Sequence, residues 1–362
     1  MTKVDSYPLH GGQLHHIAKR FGIAAPLLLD FSANINPEGP PPAVITTLRA
    51  CLDDLSTLTY YPDLQQTQLK RAIATYACVD PQNIIVANGF VPLIEATLRT
   101  LNIRSCNLPV PAFVEYRKTL ERAGIAIEPH SLNAESFFNY NAAHILAAEH
   151  NAILLANPQN PSGVCHDIAH MRDIVGKASE KNTLVLLDEA FIDYLPHHSL
   201  TAATEEFSNL IVFRSVTKFY GIPGLRVAYA VTNPTLASSI NENLPPWPIT
   251  TLASRAVAAA LADHLYADRA RQENLHRRVI LKKDLESLGL VVYPSDANFL
   301  LFALTKVVDP NRFWERMIVD HHIVLRNCAN YESLQPGHFR AAVKTQEDNS
   351  RLYEALKDIL SR

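Results

Sequence analysis

An α/β fold, with a mostly parallel sheet covered by helices and a smaller α+β unit at the carboxyl end, is what this sequence predicts. Short apolar runs at Ile84–Val86, Ile153–Ala156 and Leu184–Leu187 have the length and continuity of strands buried on both faces. Each run opens into turn or acidic residues: Asn88–Gly89, the Pro/Asn loop at 157–163, and Asp188–Glu189. Helix-length stretches separate the runs through about residues 41–245, which is the alternation of a parallel sheet.

Taken in order, residues 1–40 read as an extended arm joining the small domain, with a short helical pattern at Gln13–Phe21 and a Pro-rich end. Residues 41–245 form the expected large domain and 246–362 the small one, because NLPPWP (243–248) is a breaker cluster. Beyond it one long helix is expected over Leu252–Leu288, with its basic run HRRVILKK (276–283) on a solvated face. Candidate strands follow at Leu290–Tyr293, Phe299–Ala303, Ile323–Arg326 and Phe339–Val343.

Composition excludes more than it identifies. With 362 residues and 48% apolar content the chain can bury a large core. A formal net charge of −3 gives no nucleic-acid or membrane signature. No apolar segment approaches the ~20 residues of a membrane span, and the amino terminus lacks the apolar core of a secretory signal. Five cysteines without CxxC spacing are expected as reduced thiols of a cytoplasmic protein. Fifteen histidines include three adjacent pairs, but neighbouring side chains diverge, so no metal site is expected.

The segment RSVTKFYGIPGLR (214–226) carries the most chemistry. Lys218 follows Ser215 and Thr217 and precedes a Gly/Pro turn ending in Arg226. An amine for an aldehyde, with two hydroxyls and a guanidinium for a phosphate, suits pyridoxal phosphate held as a Schiff base. The same pattern also fits solvated charges across a turn. Asp188, at the carboxyl end of a buried strand, stands where α/β sheets bind ligands and suits a pyridine nitrogen partner, although an aspartate there also caps helices. The Asn160 amide can donate to the cofactor's 3′ oxygen. Gly89, between a strand and a helix start, exposes backbone N–H groups to a phosphate.

The order strand–NG–helix, PAF (111–113), NPQNPSG, DEAFIDY and SVTKFYGIPGLR resembles that of fold-type I pyridoxal-phosphate enzymes of the aspartate aminotransferase superfamily, over nearly the whole chain. Within it, LHGGQLHHIAKRFGI, LLDFSANINPEGPP, PPW (245–247) and LRNCANY (325–331) resemble the histidinol-phosphate aminotransferase-related branch and its threonine-phosphate decarboxylases. That resemblance implies an aspartate aminotransferase-like large domain. It implies that Lys218 is the catalytic lysine, Asp188 the partner of the ring nitrogen, Asn160 that of the 3′ oxygen, and that Phe113 stacks on the ring. Ser215, Thr217, Arg226 and the backbone of Asn88, Gly89, Phe90 and Val91 would hold the phosphate. Tyr61 of TYYPD would reach the cofactor of the neighbouring subunit in a homodimer with shared sites. On the substrate side, Arg340 would clamp the α-carboxylate, while Arg326, His10 and Asn34 would hold a substrate phosphate.

Two positions depart from the family pattern. Phe90–Val91–Pro92 follow the NG step, and Pro92 lacks a backbone donor, so a remodelled phosphate cup is expected. Phe191 stands where aminotransferases of the group carry tyrosine, which favours decarboxylase over aminotransferase. The activity so implied is decarboxylation of L-threonine O-3-phosphate to aminopropanol phosphate for cobalamin synthesis. L-serine phosphate as substrate, transamination of an amino acid such as histidinol phosphate, and a non-catalytic cofactor-binding protein stay open.

Overall fold

The computed structural model describes residues 8, 10–305 and 309–361. Residues 1–7 and Leu9 of the expected arm lie outside them. The arm begins with the helix Leu14–Phe21, whose Phe21 ring meets Trp314 edge-on at 5.9 Å. Strand β1 (Leu29–Asp30) then pairs in parallel with β11 (Ile323–Val324). Phe31, fully buried, extends this contact by donating to the Val324 carbonyl at 2.9 Å and accepting from Ala342 N at 2.8 Å.

Seven strands form the large sheet: β2 (Ile84–Ala87), β3 (Ser105–Val110), β4 (Ala126–Ser131), β5 (Ala152–Ala156), β6 (Leu184–Asp188), β7 (Leu210–Ser215) and β8 (Ala228–Val231). Their order is β2-β8-β7-β6-β5-β3-β4, with β8 antiparallel to both neighbours and the other pairs parallel. The three apolar runs are β2, β5 and β6, each lengthened by a residue. On β5, Ile153 and Leu155 join one core layer while Ala152, Leu154 and Ala156 join the other. Helices on both faces thus make a continuous apolar run the stable solution for the strand.

The carboxyl-terminal sheet comprises β9 (Val291–Val292), β10 (Phe299–Ala303), β12 (Arg326–Asn327) and β13 (His338–Ala342), in the antiparallel order β12-β13-β10-β9. The Ile323–Arg326 candidate divides into β11 and β12, which pair with different partners.

The single helix expected over Leu252–Leu288 is two helices, Thr251–Ala262 and His264–Ser287. Asp263 interrupts them at φ −87° and ψ 77°, its carboxylate accepting from Tyr266 N at 2.9 Å. An aspartate that caps its own downstream turn competes with a continuous helix. Thr251–Ala262 packs with the helices Pro42–Asp53 and Thr67–Ala77, and Ala256, Val257 and Ala260 are buried in the core they share with β2. Core membership along the second helix changes between Ala270 and Leu281. The basic run there is solvated as expected at His276 and Lys283, but not at Arg277 and Arg278. Arg278 is 9% exposed and donates to the Asp296 and Ala297 carbonyls at 2.6 and 3.0 Å, and Arg277 pairs with Glu38 at 2.8 Å. All five cysteines are free thiols; Cys51, Cys106 and Cys328 are buried and Cys78 is exposed.

Candidate active site

Three parts of the chain meet over the carboxyl ends of the large sheet. The arm leaves β1, and Asn36 then anchors it: its backbone N–H donates to the Lys218 carbonyl at 3.0 Å and its amide to the Phe219 carbonyl at 2.9 Å. Gly221 allows this crossing, since a Cβ there would lie 2.7 Å from the Gly39 backbone. Between the arm, the sheet ends and the β12–β13 pair lies a cavity of about 460 Å³. Its walls include His10 and Asn34 from the arm, Gly89, Phe90, Val91, Phe113, Asn160, Asp188, Ser215, Thr217, Lys218 and Arg226 from the sheet side, and Arg326 and Arg340.

Asp188 ends β6, buried at 7% exposure. One carboxylate oxygen accepts from Ala190 N at 2.9 Å and the other from the Tyr116 hydroxyl. Burial pushes this carboxyl above the ordinary aspartate range, against the Lys218 ammonium and the Tyr116 and Ala190 donors. Lys218 Nζ donates to Ser215 Oγ at 3.1 Å, and Ser215 Oγ lies 2.9 Å from Thr217 Oγ1. Burial holds the lysine below its usual range; Asp188 resists the shift and the Arg226 guanidinium adds to it. Two aromatic rings complete the floor: Phe191 lies 5.8 Å from Lys218 Nζ, and Phe113 is edge-on to Tyr116 at 5.5 Å.

Gly89 caps the helix Phe90–Thr100 at φ +95°, in the left-handed region that favours glycine. A Cβ there would lie 2.8 Å from Arg226 Nη2, so the missing side chain lets that guanidinium sit over the helix start. Pro92 occupies the first turn, where a backbone N–H has no intrahelical partner to lose. The Phe90 ring packs edge-on against Phe213 at 5.5 Å, so it fills space beside the sheet.

On the opposite wall Arg340 Nη1 donates to Asn160 Oδ1 at 2.6 Å and Nη2 to the Ser32 carbonyl at 3.2 Å. Arg326 donates to the Pro8 and Asn327 carbonyls at 3.1 and 2.6 Å and to Asn330 Oδ1 at 2.8 Å. His10 Nε2 lies 3.0 Å from Glu115 Oε1, and burial lowers its pKa against the pull of that carboxylate. Asn34 Oδ1 and Arg340 Nε are buried without a hydrogen-bond partner.

Two expected site residues stand apart. Asn88 is exposed and does not line the cavity, whereas Gly89, Phe90 and Val91 after it do. Tyr61 is 80% exposed, outside the cavity, with its ring stacked on Trp247 at 4.5 Å. Conversely, Tyr116, Glu115, Ser32 and Tyr331 touch the site residues without having been singled out. Only Tyr116 left a signal, three residues beyond Phe113 at the start of a helix, where both side chains share a face.

The model of the family described as "Aminotransferase class I and II" matches residues 27–356. The chain is 32% identical over 358 residues to threonine-phosphate decarboxylase from Salmonella typhimurium, covering 97% of this chain and 96% of that protein. It is 27% identical over 359 residues to histidinol-phosphate aminotransferase from Methanocaldococcus jannaschii, covering 97% and 94% respectively. Among solved structures, histidinol-phosphate aminotransferase from Clostridium acetobutylicum superposes with a TM-score of 0.86 at 26% identity, over 92% of this chain and 99% of that one.

Proposed function

Because the chain belongs to the aminotransferase class I and II family, we propose that it decarboxylates L-threonine O-3-phosphate to aminopropanol phosphate, in the assembly of cobalamin. It is a pyridoxal-phosphate enzyme, with the mostly parallel α/β architecture of that family. The observation that carries the substrate reading is the pairing, in one cavity, of half-buried Lys218 and buried Asp188 with two arginines on the facing wall. An amino acid with a second anion matches that wall. The decarboxylase relative at 32% identity and Phe191 beside Lys218 support carbon dioxide loss.

The residues fit the cofactor. A hollow that a Cβ at Gly89 would fill lies beside Arg226, two hydroxyls adjoin Lys218, and a buried carboxylate faces the same space. When bound, pyridoxal phosphate supplies an aldehyde for the substrate amine and a protonated ring that accepts electrons released at Cα. Arg226, Ser215, Thr217 and the backbone from Gly89 to Val91 hold its phosphate. Asp188 would keep a proton on the ring nitrogen, and Phe113 would lie against the ring face. Asn160, its oxygen engaged by Arg340, offers its amide N–H to the 3′ oxygen.

Arg340 holds the α-carboxylate as a bidentate fork. Arg326, His10 and Asn34 gather around the substrate phosphate, with Asn34 donating through its amide N–H. Lys218, its proton affinity lowered by burial, carries a proton to Cα after the carboxylate leaves. The enclosing arm and Phe191 limit the access of water to that carbon. We place a second copy of the chain against the region of Tyr61. Leu52, Leu55, Leu58, Tyr60 and Leu64 there are 52–74% exposed, an apolar concentration that suits a homodimer interface.

The purified holoenzyme with L-threonine phosphate and no keto acid tests this reading, following carbon dioxide and the cofactor absorbance. Sustained release with return of the starting spectrum supports it. One turnover without carbon dioxide, leaving the cofactor as its amine, replaces it with the aminotransferase reading favoured by the relative at 27% identity. L-serine phosphate is run in parallel, since one methyl is worth only about 1–3 kcal/mol of discrimination. Lys218→Ala is expected to lose both the lysine-linked absorbance and turnover.

A further inference from the structure

The two arginines of the facing wall are direct neighbours in the small sheet. Arg326 on β12 and Arg340 on β13 are opposite partners in antiparallel register, so both side chains leave the same face. Both are buried, at 3% and 6% exposure. Like charges placed so repel, yet here they diverge: Arg326 turns to Pro8, Asn327 and Asn330, and Arg340 to Asn160 and Ser32. Tyr331, 3% exposed, touches both. The Arg326 guanidinium carbon lies 5.2 Å from its ring centroid. Its hydroxyl is 3.4 Å from Arg340 Nη1 and donates to Asn160 Oδ1 at 3.3 Å.

We propose that Tyr331 is the specificity-determining partition of the site. Its ring holds the two guanidinium groups apart as separate anion sites, and its hydroxyl positions Arg340 and Asn160 on the cofactor side. The cavity therefore selects amino acids whose second anion is held at a set separation from the α-carboxylate. This rests on the reading in which Arg340 takes the carboxylate and Arg326 the phosphate. A residue that only filled the core with Cys328, Leu301 and Leu334 would change stability without changing discrimination between anions.

Two substitutions in the holoenzyme separate ring from hydroxyl. Tyr331→Phe keeps the ring; kcat for carbon dioxide release is expected to fall about fivefold to tenfold, with KM for L-threonine phosphate within about twofold. The pH titration of the bound cofactor's visible absorbance is expected to shift, because Asn160 faces its 3′ oxygen. Tyr331→Leu removes the partition. Inorganic phosphate, bound to the holoenzyme and read on that absorbance without substrate, is expected to weaken about tenfold. The preference for L-threonine phosphate over L-threonine is expected to fall by a similar factor.

An unchanged phosphate affinity and preference in folded Tyr331→Leu would overturn the partition. Should that variant not fold, an unshifted titration and unchanged kcat in Tyr331→Phe would overturn the proposal. The phosphate measurement needs no turnover. A wild-type protein that releases no carbon dioxide but shows the phosphate effect refutes the decarboxylase reading and leaves the partition standing.

Discussion

A single hydroxyl, that of Tyr116, supports the carboxylate at the centre of the site. It donates to Asp188 from a fully buried position, and Ala190 N is the other hydrogen-bond donor to that carboxylate among the described residues. Tyr116→Phe is expected to keep the fold and weaken cofactor binding about tenfold, the scale of one hydrogen bond to a charged group. Fluorescence titration of the apoprotein with pyridoxal phosphate measures it, and an unchanged dissociation constant would separate Asp188 from the cofactor. Behind the site, Arg214 is 4% exposed and bonds Asp193, with Glu189 3.6 Å away. Replacing it with methionine strands two buried carboxylates, an expected loss of about 3–5 kcal/mol in urea unfolding.

At the scale of elements, the turn from β2 into the helix Phe90–Thr100 depends on one backbone conformation. Gly89→Ala would hold a side chain at φ +95° and push on Arg226 Nη2. The strain is on the order of 1–2 kcal/mol. It is expected to lower apoprotein stability by about that amount, and the displaced Arg226 to weaken cofactor binding as well, by calorimetry on both forms. The loop after β5 carries a pH signature. His166 lies between the Tyr140 and His170 rings, and burial lowers its pKa from 6.5 to about 4, with His170 adding and Asp167 opposing. Its folded pKa is below the unfolded value, so the unfolded chain binds more protons across that window. Stability therefore falls as pH drops from 6.5 towards 4, by at most about 3 kcal/mol. His166→Leu is expected to flatten that slope in urea midpoints measured at pH 7 and pH 5; an unaltered slope assigns it to other groups.

For the whole molecule, the informative question is which chain completes which cavity. Tyr61 is remote from its own cavity and exposed among leucines. In the homodimer proposed above it would serve the partner's site. Lys218→Ala and Tyr61→Ala homodimers are each expected to be impaired. Mixed dimers are expected to regain about half of wild-type turnover, since one of two sites then has both residues intact. Recovery is read after denaturing and refolding the two variants together. No recovery in dimers verified as mixed would place Tyr61's effect within its own subunit.

The sequence by itself determined the parallel layer and the residues that line the sheet side of the cavity. Unbroken runs such as Ile153–Ala156 suit a strand covered on both faces, and Asp188, Asn160 and Gly89 each follow directly from such a run or its loop, while Lys218 is marked by the hydroxyls and Gly/Pro turn around it. Their positions are set locally, by where the strand ends. What the tertiary structure decided is everything that crosses between layers. Nothing local at residues 326 and 340 records that they face each other, because antiparallel register is fixed by the pairing of distant segments. Tyr116 and Glu115 meet partners far along the chain (Tyr116–Asp188, Glu115–His10), and Tyr331 joins its near neighbours Arg326 and Arg340 to Asn160, 171 residues away. Charge pattern put Arg278 on a solvated face, whereas two backbone carbonyls brought over it by the fold made its burial stable. Local sequence sets strand ends and turns through short-range sterics; a site shared by an arm and two sheets is set by long-range packing, which alone decides which distant side chains meet.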